Sequence, residues 1–157
     1  MRDEIRIEAV TESTFERLLP LIEEYQRFYR CVPDRSKNRQ FFSRLLDGAV
    51  GIQFIALRND AIVGFSTLYF VPSSLSAATQ CVLNDLYTVP QERSRGVARA
   101  LIDHCARHAS GRGFPSLNWQ TQKSNHTAQR LYNRFGAAKS DWLDFSLSLK
   151  NYQPLAD

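Results

Sequence analysis

A chain of 157 residues can bury one real core but is too short for two comfortable ones. Its 43% hydrophobic and 23% charged content is that of an ordinary globular protein; no stretch approaches a membrane span, and the first residues lack the apolar core of a signal peptide, so a cytoplasmic location is expected. The net charge of +4 is spread along the chain, which argues against nucleic acid as a partner, and Cys31, Cys81 and Cys105 are scattered thiols without metal-ligand or CxxC spacing.

Alternation over Ile5–Val10 predicts a first strand. Thr11 to Ser13 offer caps for a helix whose apolar positions are Phe15, Leu18, Leu19, Ile22, Tyr25 and Phe28, with Pro20 as a kink or a late start. A second short helix is expected from Lys37 to Leu46, burying Phe41, Phe42, Leu45 and Leu46. Gly51–Leu57 and Ala61–Phe70 flank Arg58-Asn59-Asp60, a hairpin signal, and Pro72 to Ala78 reads as a serine-rich loop. Cys81–Val89 is the next strand, stopped by Pro90.

The stretch after it, Arg93-Ser94-Arg95-Gly96-Val97-Ala98, has the form of a tight turn opening a helix that runs to about Ala109. The first turn of a helix carries unpaired N–H groups and the positive end of its dipole, so it attracts anions. Glycine and alanine leave room for a phosphate to approach the backbone, and Arg93, Arg95 and Arg99 add positive charge. Leu117–Gln120 reads as a short strand, Asn125–Phe135 as a helix closed by Gly136, and Trp142–Leu149 as a closing strand. This order, β-α-α-β-β-β-α-β-α-β, predicts an α/β layer structure with one mixed sheet. His104 and His108 stand four apart beside Asp103, but no third ligand is evident and no metal is expected.

With both helix-opening regions placed, the sequence resembles the GNAT superfamily of N-acetyltransferases over nearly all its length. The family's cofactor signature, Gln/Arg-x-x-Gly-x-Gly/Ala, falls on Arg93, Gly96 and Ala98. A second signature falls on Asn125, Ala128, Leu131, Tyr132, Phe135, Gly136 and Ala137. Within the superfamily the chain looks most like the diamine acetyltransferase group, through Leu83-Asn84-Asp85-Leu86-Tyr87-Thr88-Val89, Trp119 and Trp142. It departs where those enzymes carry Glu before Asp on the fourth strand: here Asn84 precedes Asp85, one carboxylate fewer for a polyamine.

The resemblance implies a single acyl-CoA N-acyltransferase domain over residues 4–151, with a mixed, mostly antiparallel sheet flanked by helices. It implies acetyl-CoA as cofactor, its diphosphate on the amides of Ser94, Arg95, Gly96, Val97, Ala98 and Arg99. The fourth strand bulges and splays in this family, so the backbone of Leu86, Tyr87 and Val89 is expected to hold the pantetheine arm, with Asn125, Ala128 and Leu131 on the later helix. Tyr132 is expected to protonate the departing thiolate, acid catalysis worth roughly 10² to 10⁴ in rate. Asp85 and Glu24 are candidates for the base that takes the ammonium proton. Glu23, Glu24, Tyr29, Asn84 and Trp142 are candidates for the acceptor site.

The implied activity is direct acetyl transfer to a primary amine of a small molecule, an amino acid, polyamine or similar. The alternatives are a protein or peptide amine as acceptor, or an acyl-CoA-binding regulatory protein without catalysis. A homodimer is the family habit, and Trp142, Leu143 and Phe145 are either its interface or core.

Overall fold

Asn59 and Asp60 both adopt positive φ, 48° and 61°, a turn that matches the twist of paired strands and that Asn and Asp tolerate well. They join β2 (Gly51–Arg58) to β3 (Ala61–Ser73), and the centre of the sheet follows from that hairpin. The computed structural model describes residues 4–154 in two compact units, one ending at Gln120 and the other beginning at Thr121.

In the first unit β1 (Arg6–Ala9), β2, β3, β4 (Ala78–Thr88) and β5 (Leu117–Asn118) lie side by side in chain order. The first four are antiparallel and β5 runs parallel to β4, so the sheet is mixed and mostly antiparallel, as expected. β3 and β4 pair as far as Ser73 and Ala78, so the serine-rich loop is shorter than its composition suggests.

Helix α1 (Glu12–Phe28) runs through Pro20 without interruption. A mid-helix proline costs about 3 kcal/mol. Its neighbours Leu18, Leu19 and Ile22 are fully buried, and each such side chain contributes about 1.5–3 kcal/mol, which outweighs the loss. They pack with Phe15 and Leu21 against Ile55, Leu57, Phe65 and Tyr87 of the sheet. Helix α2 (Arg35–Phe42) starts at Asp34, whose carboxylate accepts from the Lys37 N–H, and passes into a 3-10 turn at Ser43–Leu45. Of the expected buried face, Leu45 is buried and Phe42 and Leu46 are partly buried against the core, but Phe41 is a correction. Asn38 is buried and paired with Gln26, whereas Phe41 is exposed under the Arg44 guanidinium, because the tightening into 3-10 geometry rotates the faces.

The opposite face of the sheet carries α3 (Val97–Gly111). Cys105 meets the Ser66 hydroxyl at 3.2 Å, and the rings of His104 and His108 stand edge-on to Phe54. Cys81 and Cys105 are buried and Cys31 is exposed. Gly64 is the point of closest approach: a Cβ there would lie 2.6 Å from the Tyr87 carbonyl oxygen and 2.9 Å from Val97 Cγ1. Its bare backbone lets the first turn of α3 settle onto the sheet beside β4.

One irregularity decides which face β4 presents. Thr67 pairs with Asp85 but Leu68 pairs with Leu83, so Asn84 is an extra residue bulged out of the ladder. Cys81 lies near Cys105 on the α3 face, and in an unbroken strand Asp85 and Tyr87 would share that face. The bulge turns them to the α1 face, where Tyr87 joins the α1 core and Asp85 reaches Tyr25. β5 pairs only with Cys81 and Val82, so among the described residues no strand covers the β5 side of Leu83–Thr88.

In the second unit α4 (His126–Arg134) is capped by the Asn125 carboxamide, which accepts from the Ala128 N–H at 3.2 Å. Gly136, at φ 73°, closes it, with the Ala137 N–H returning to the Tyr132 carbonyl. The closing strand expected at Trp142–Leu149 is not formed. A strand exists only through a neighbour's backbone, and among the described residues nothing pairs with this segment. Trp142 and Phe145 are 82% and 92% exposed, which removes the core alternative for them.

Gly64→Ala is expected to destabilise the fold by about 1–3 kcal/mol, since the intruding atom is met by backbone. Denaturant titration measures this; a midpoint equal to that of the wild type contradicts the close approach.

Candidate active site

The site is built on the α1 face of the bulged strand. Gln53, Thr67 and Asp85 are direct cross-strand neighbours on β2, β3 and β4, and together form a buried polar row beside the apolar row Ile55, Phe65 and Tyr87. Gln53 Nε2 donates to the Thr67 hydroxyl at 3.0 Å. The Asp85 carboxylate, 6% exposed, accepts from Thr67, from the Tyr25 hydroxyl on α1, and from Asn84 Nδ2 at 3.0 Å. Burial pushes the Asp85 carboxyl above the ordinary carboxylate range, against the lowering by these three hydrogen bonds. The same burial, with Asp85 opposite, pushes the Tyr25 phenol far up and Tyr69 up to about 12. Among the described residues no cation pairs with Asp85 in an ion pair.

Next along β4, the Tyr87 hydroxyl donates to Glu24 Oε2 at 3.3 Å. Arg93 lies over the Phe28 and Tyr87 rings, 5.4 and 5.9 Å from their centroids, and donates from Nε to the Thr88 carbonyl. Tyr29 stands edge-on to Tyr25 at 5.1 Å and is partly exposed. Asp85, Asn84, Glu24, Tyr29 and Tyr87, singled out in the sequence, thus gather on this face, joined by Tyr25, Thr67, Gln53 and Tyr69, which were not. The available signal for Gln53 was a lone amide within an apolar strand run.

Glu23 is not part of this group. Its carboxylate pairs with Arg35 and with Arg27, tying α1 to α2, because it points one helical step away from Glu24. Trp142 lies in the second unit and is exposed.

The turn into α3 has the form expected of an anion cradle. Ser94 and Gly96 take positive φ, 61° and 88°, and no side chain caps the helix, so the first-turn amides of Val97, Ala98 and Arg99 lack the acceptor that a capping residue supplies. A Cβ at position 96 would meet only Ile5 Cδ1, at 3.9 Å, so backbone conformation and not crowding favours glycine there. Such a helix start suits a diphosphate. Of the three arginines, Arg95 pairs with Glu92 at 2.9 Å and Arg93 turns toward Tyr87. Glu92 is gripped from the other side by Arg58, at the end of β2, also at 2.9 Å, with side-chain exposures of 13% and 11%. Arg58 further donates to the Arg95 carbonyl. A shielded pair of this kind holds the loop more firmly than a surface ion pair can.

Beyond its bulge β4 has no β5 partner among the described residues, and beside it a helix opens on an uncapped glycine turn. Residues 18–137 match the model of the acetyltransferase (GNAT) family. The chain belongs to that family. It is 32% identical over 119 residues to the uncharacterized N-acetyltransferase YhfO of Bacillus subtilis, covering 76% of this chain and 80% of that one. It is 31% identical over 145 residues to the D-amino-acid N-acetyltransferase HPA3 of Saccharomyces cerevisiae, covering 90% and 89%. A solved structure described as a probable acetyltransferase superposes with a TM-score of 0.83 at 27% identity, covering 94% of this chain and 99% of that one. This GNAT protein is an acetyl-CoA-dependent N-acetyltransferase; the diamine subgroup is not singled out by these relatives.

Two predictions follow from this geometry. Because Asp85 binds its proton more tightly in the folded state, stability falls as pH rises from the unfolded carboxyl pKa through the folded one. Asp85→Asn is therefore expected to raise Tm at neutral pH, the gain shrinking toward acid; a pH-independent difference contradicts the buried charge. Arg58→Ala frees the loop and leaves Glu92 less compensated, both unfavourable to an anion. Coenzyme A affinity should fall by about tenfold or more in calorimetry, and an unchanged affinity contradicts the anchoring role.

Proposed function

We propose that this acetyltransferase acetylates the primary amine of a small monoamine of the amino-acid type. The observation that carries the reading is Asp85, a buried carboxylate with three hydrogen-bond donors and no cationic partner among the described residues. A slender ammonium group suits such a carboxylate; a bulky amine does not. Two features disfavour a polyamine. Asn84 contributes a donor where a second carboxylate would add charge, and Glu23 is neutralised by Arg35 and Arg27. The relative that acts on D-amino acids, by its name, agrees with this reading.

Acetyl-CoA supplies the acetyl group as an activated thioester. In the proposed mechanism the amides from Ser94 to Arg99 hold the diphosphate, and the uncovered β5 side of Leu86 and Tyr87 offers backbone groups to the pantetheine arm. Asp85 accepts the proton of the ammonium, leaving the lone pair that forms the new N–C bond. As the C–S bond breaks, Tyr132 donates its proton to the sulfur, a role that rests on the second family motif. Asn125, which caps α4, and Ala128 and Leu131 are assigned to the cofactor arm on the same ground. The exposed alternation Trp142, Leu143 and Phe145 is assigned to a homodimer surface, which light scattering tests.

A panel of L- and D-amino acids, polyamines, aminoglycosides and peptides, followed by release of coenzyme A, is expected to favour amino acids. A preference for peptides or polyamines refutes the substrate class. Asp85→Asn and Tyr132→Phe should each lower kcat by roughly 10² to 10⁴ while coenzyme A affinity stays near that of the wild type. Full turnover in either variant removes that residue from the mechanism.

A further inference from the structure

The polar row across the sheet has a direction. Gln53 Nε2 has only hydrogens to offer, so the Thr67 hydroxyl must accept from it, at 3.0 Å. That leaves the single hydroxyl hydrogen of Thr67 pointing to its other neighbour, the Asp85 carboxylate. Gln53 and Thr67 are 2% and 0% exposed, so no bulk water competes for either bond. A buried amide and a buried hydroxyl carry a desolvation cost of their own, which their hydrogen bonds offset.

We propose that Thr67, oriented by Gln53, is a positioning residue for Asp85: its hydroxyl holds the carboxylate in its ionised, proton-accepting form and fixes which lone pairs remain for the incoming ammonium. This rests on the reading of Asp85 as the base. Hydrogen bonds from Thr67, Tyr25 and Asn84 engage three of the carboxylate's roughly four lone-pair directions, which leaves one for substrate. Among the described residues, Thr67 is the donor of the three whose hydrogen is directed by a further partner in the sheet, Gln53.

The groups that face Asp85 come from every element packed around it. They are Tyr25 on α1, with Tyr29 behind it; Tyr69 on β3; and Asn84 on β4. Glu24 on α1 is held by Tyr87, and Arg44 after α2 acts on Tyr69. Burial holds the protons on Tyr25 and Tyr69 across the working range, so the acidic limb of the pH profile is assigned to Asp85 and to the substrate amine. The same amine used with every variant contributes equally, and differences report the carboxylate.

The test compares pH profiles of kcat/KM for the wild type, Thr67→Val, Thr67→Ser and Gln53→Glu, with Tm and coenzyme A affinity as controls. Valine keeps the shape and strand preference of threonine but removes the donor. Thr67→Val is expected to move the acidic limb to higher pH and to lower activity on that limb about tenfold, while activity recovers at high pH. Thr67→Ser restores the wild-type profile. Gln53→Glu turns the amide donor into an acceptor, draws the Thr67 hydrogen away from Asp85, and moves the limb in the same direction; it serves as the test if the valine variant does not fold. A uniform loss at all pH values, or a limb at the wild-type position in the folded variants, overturns the positioning role. Asp85→Asn with full activity overturns the base assignment itself, whereas an inactive Asp85→Asn beside an unshifted Thr67→Val sinks only the role of Thr67.

Discussion

One inserted residue organises this molecule. Side chains along a strand alternate, so every residue of β4 has its face dictated by its parity, and the bulge at Asn84 reverses that parity halfway along. Before it, Cys81 faces the α3 layer; after it, Asp85 and Tyr87 face α1. Without the reversal the acid would lie among the apolar side chains of α3, with neither Thr67 nor Tyr25 within reach. The parallel strand β5 stops before the bulge, so among the described residues the altered face and the backbone left without a β5 partner come from the same stretch of chain.

The second constraint is electrostatic. Burial opposes the charge on Asp85 and three neutral donors support it, a balance that leaves the carboxyl above its ordinary range without a neutralising cation. Stability alone would favour an apolar or amide residue at that position. A short distance away the opposite solution is used: Glu92 is held between Arg58 and Arg95, and its pairing stiffens the turn whose amides open α3. One carboxylate is left unneutralised where chemistry is proposed, and another is neutralised where rigidity is useful.

Much of this was legible in residue order. The Asn59-Asp60 turn, the strand stopped by Pro90, the glycine turn into α3 and the Asn125 cap of α4 all depend on local backbone preferences, and each appears where the residues suggest. What could not be read depends on neighbours distant in sequence. Nothing in Leu83-Asn84-Asp85-Leu86 announces that Asn84 leaves the ladder, because a bulge is a property of two strands. Thr67 and Gln53 become partners of Asp85 only through register. Three arginines near a helix start looked equivalent, yet Arg95 is engaged by Glu92 and Arg93 by aromatic rings. The alternation of Trp142–Leu149 satisfies the pattern of a strand but cannot supply the backbone partner that a strand requires.

The three thiols differ sharply in their surroundings. Cys81 and Cys105 are enclosed, and burial pushes the Cys105 sulfhydryl up to about 11, so neither is a ready nucleophile near neutrality. Cys31 lies open just beyond α1. A chromogenic disulfide reagent used to follow liberated coenzyme A therefore has a single accessible protein sulfur to react with, giving one equivalent of background colour per chain. The same sulfur offers a unique point for attaching a fluorophore near the end of the helix that carries Tyr25.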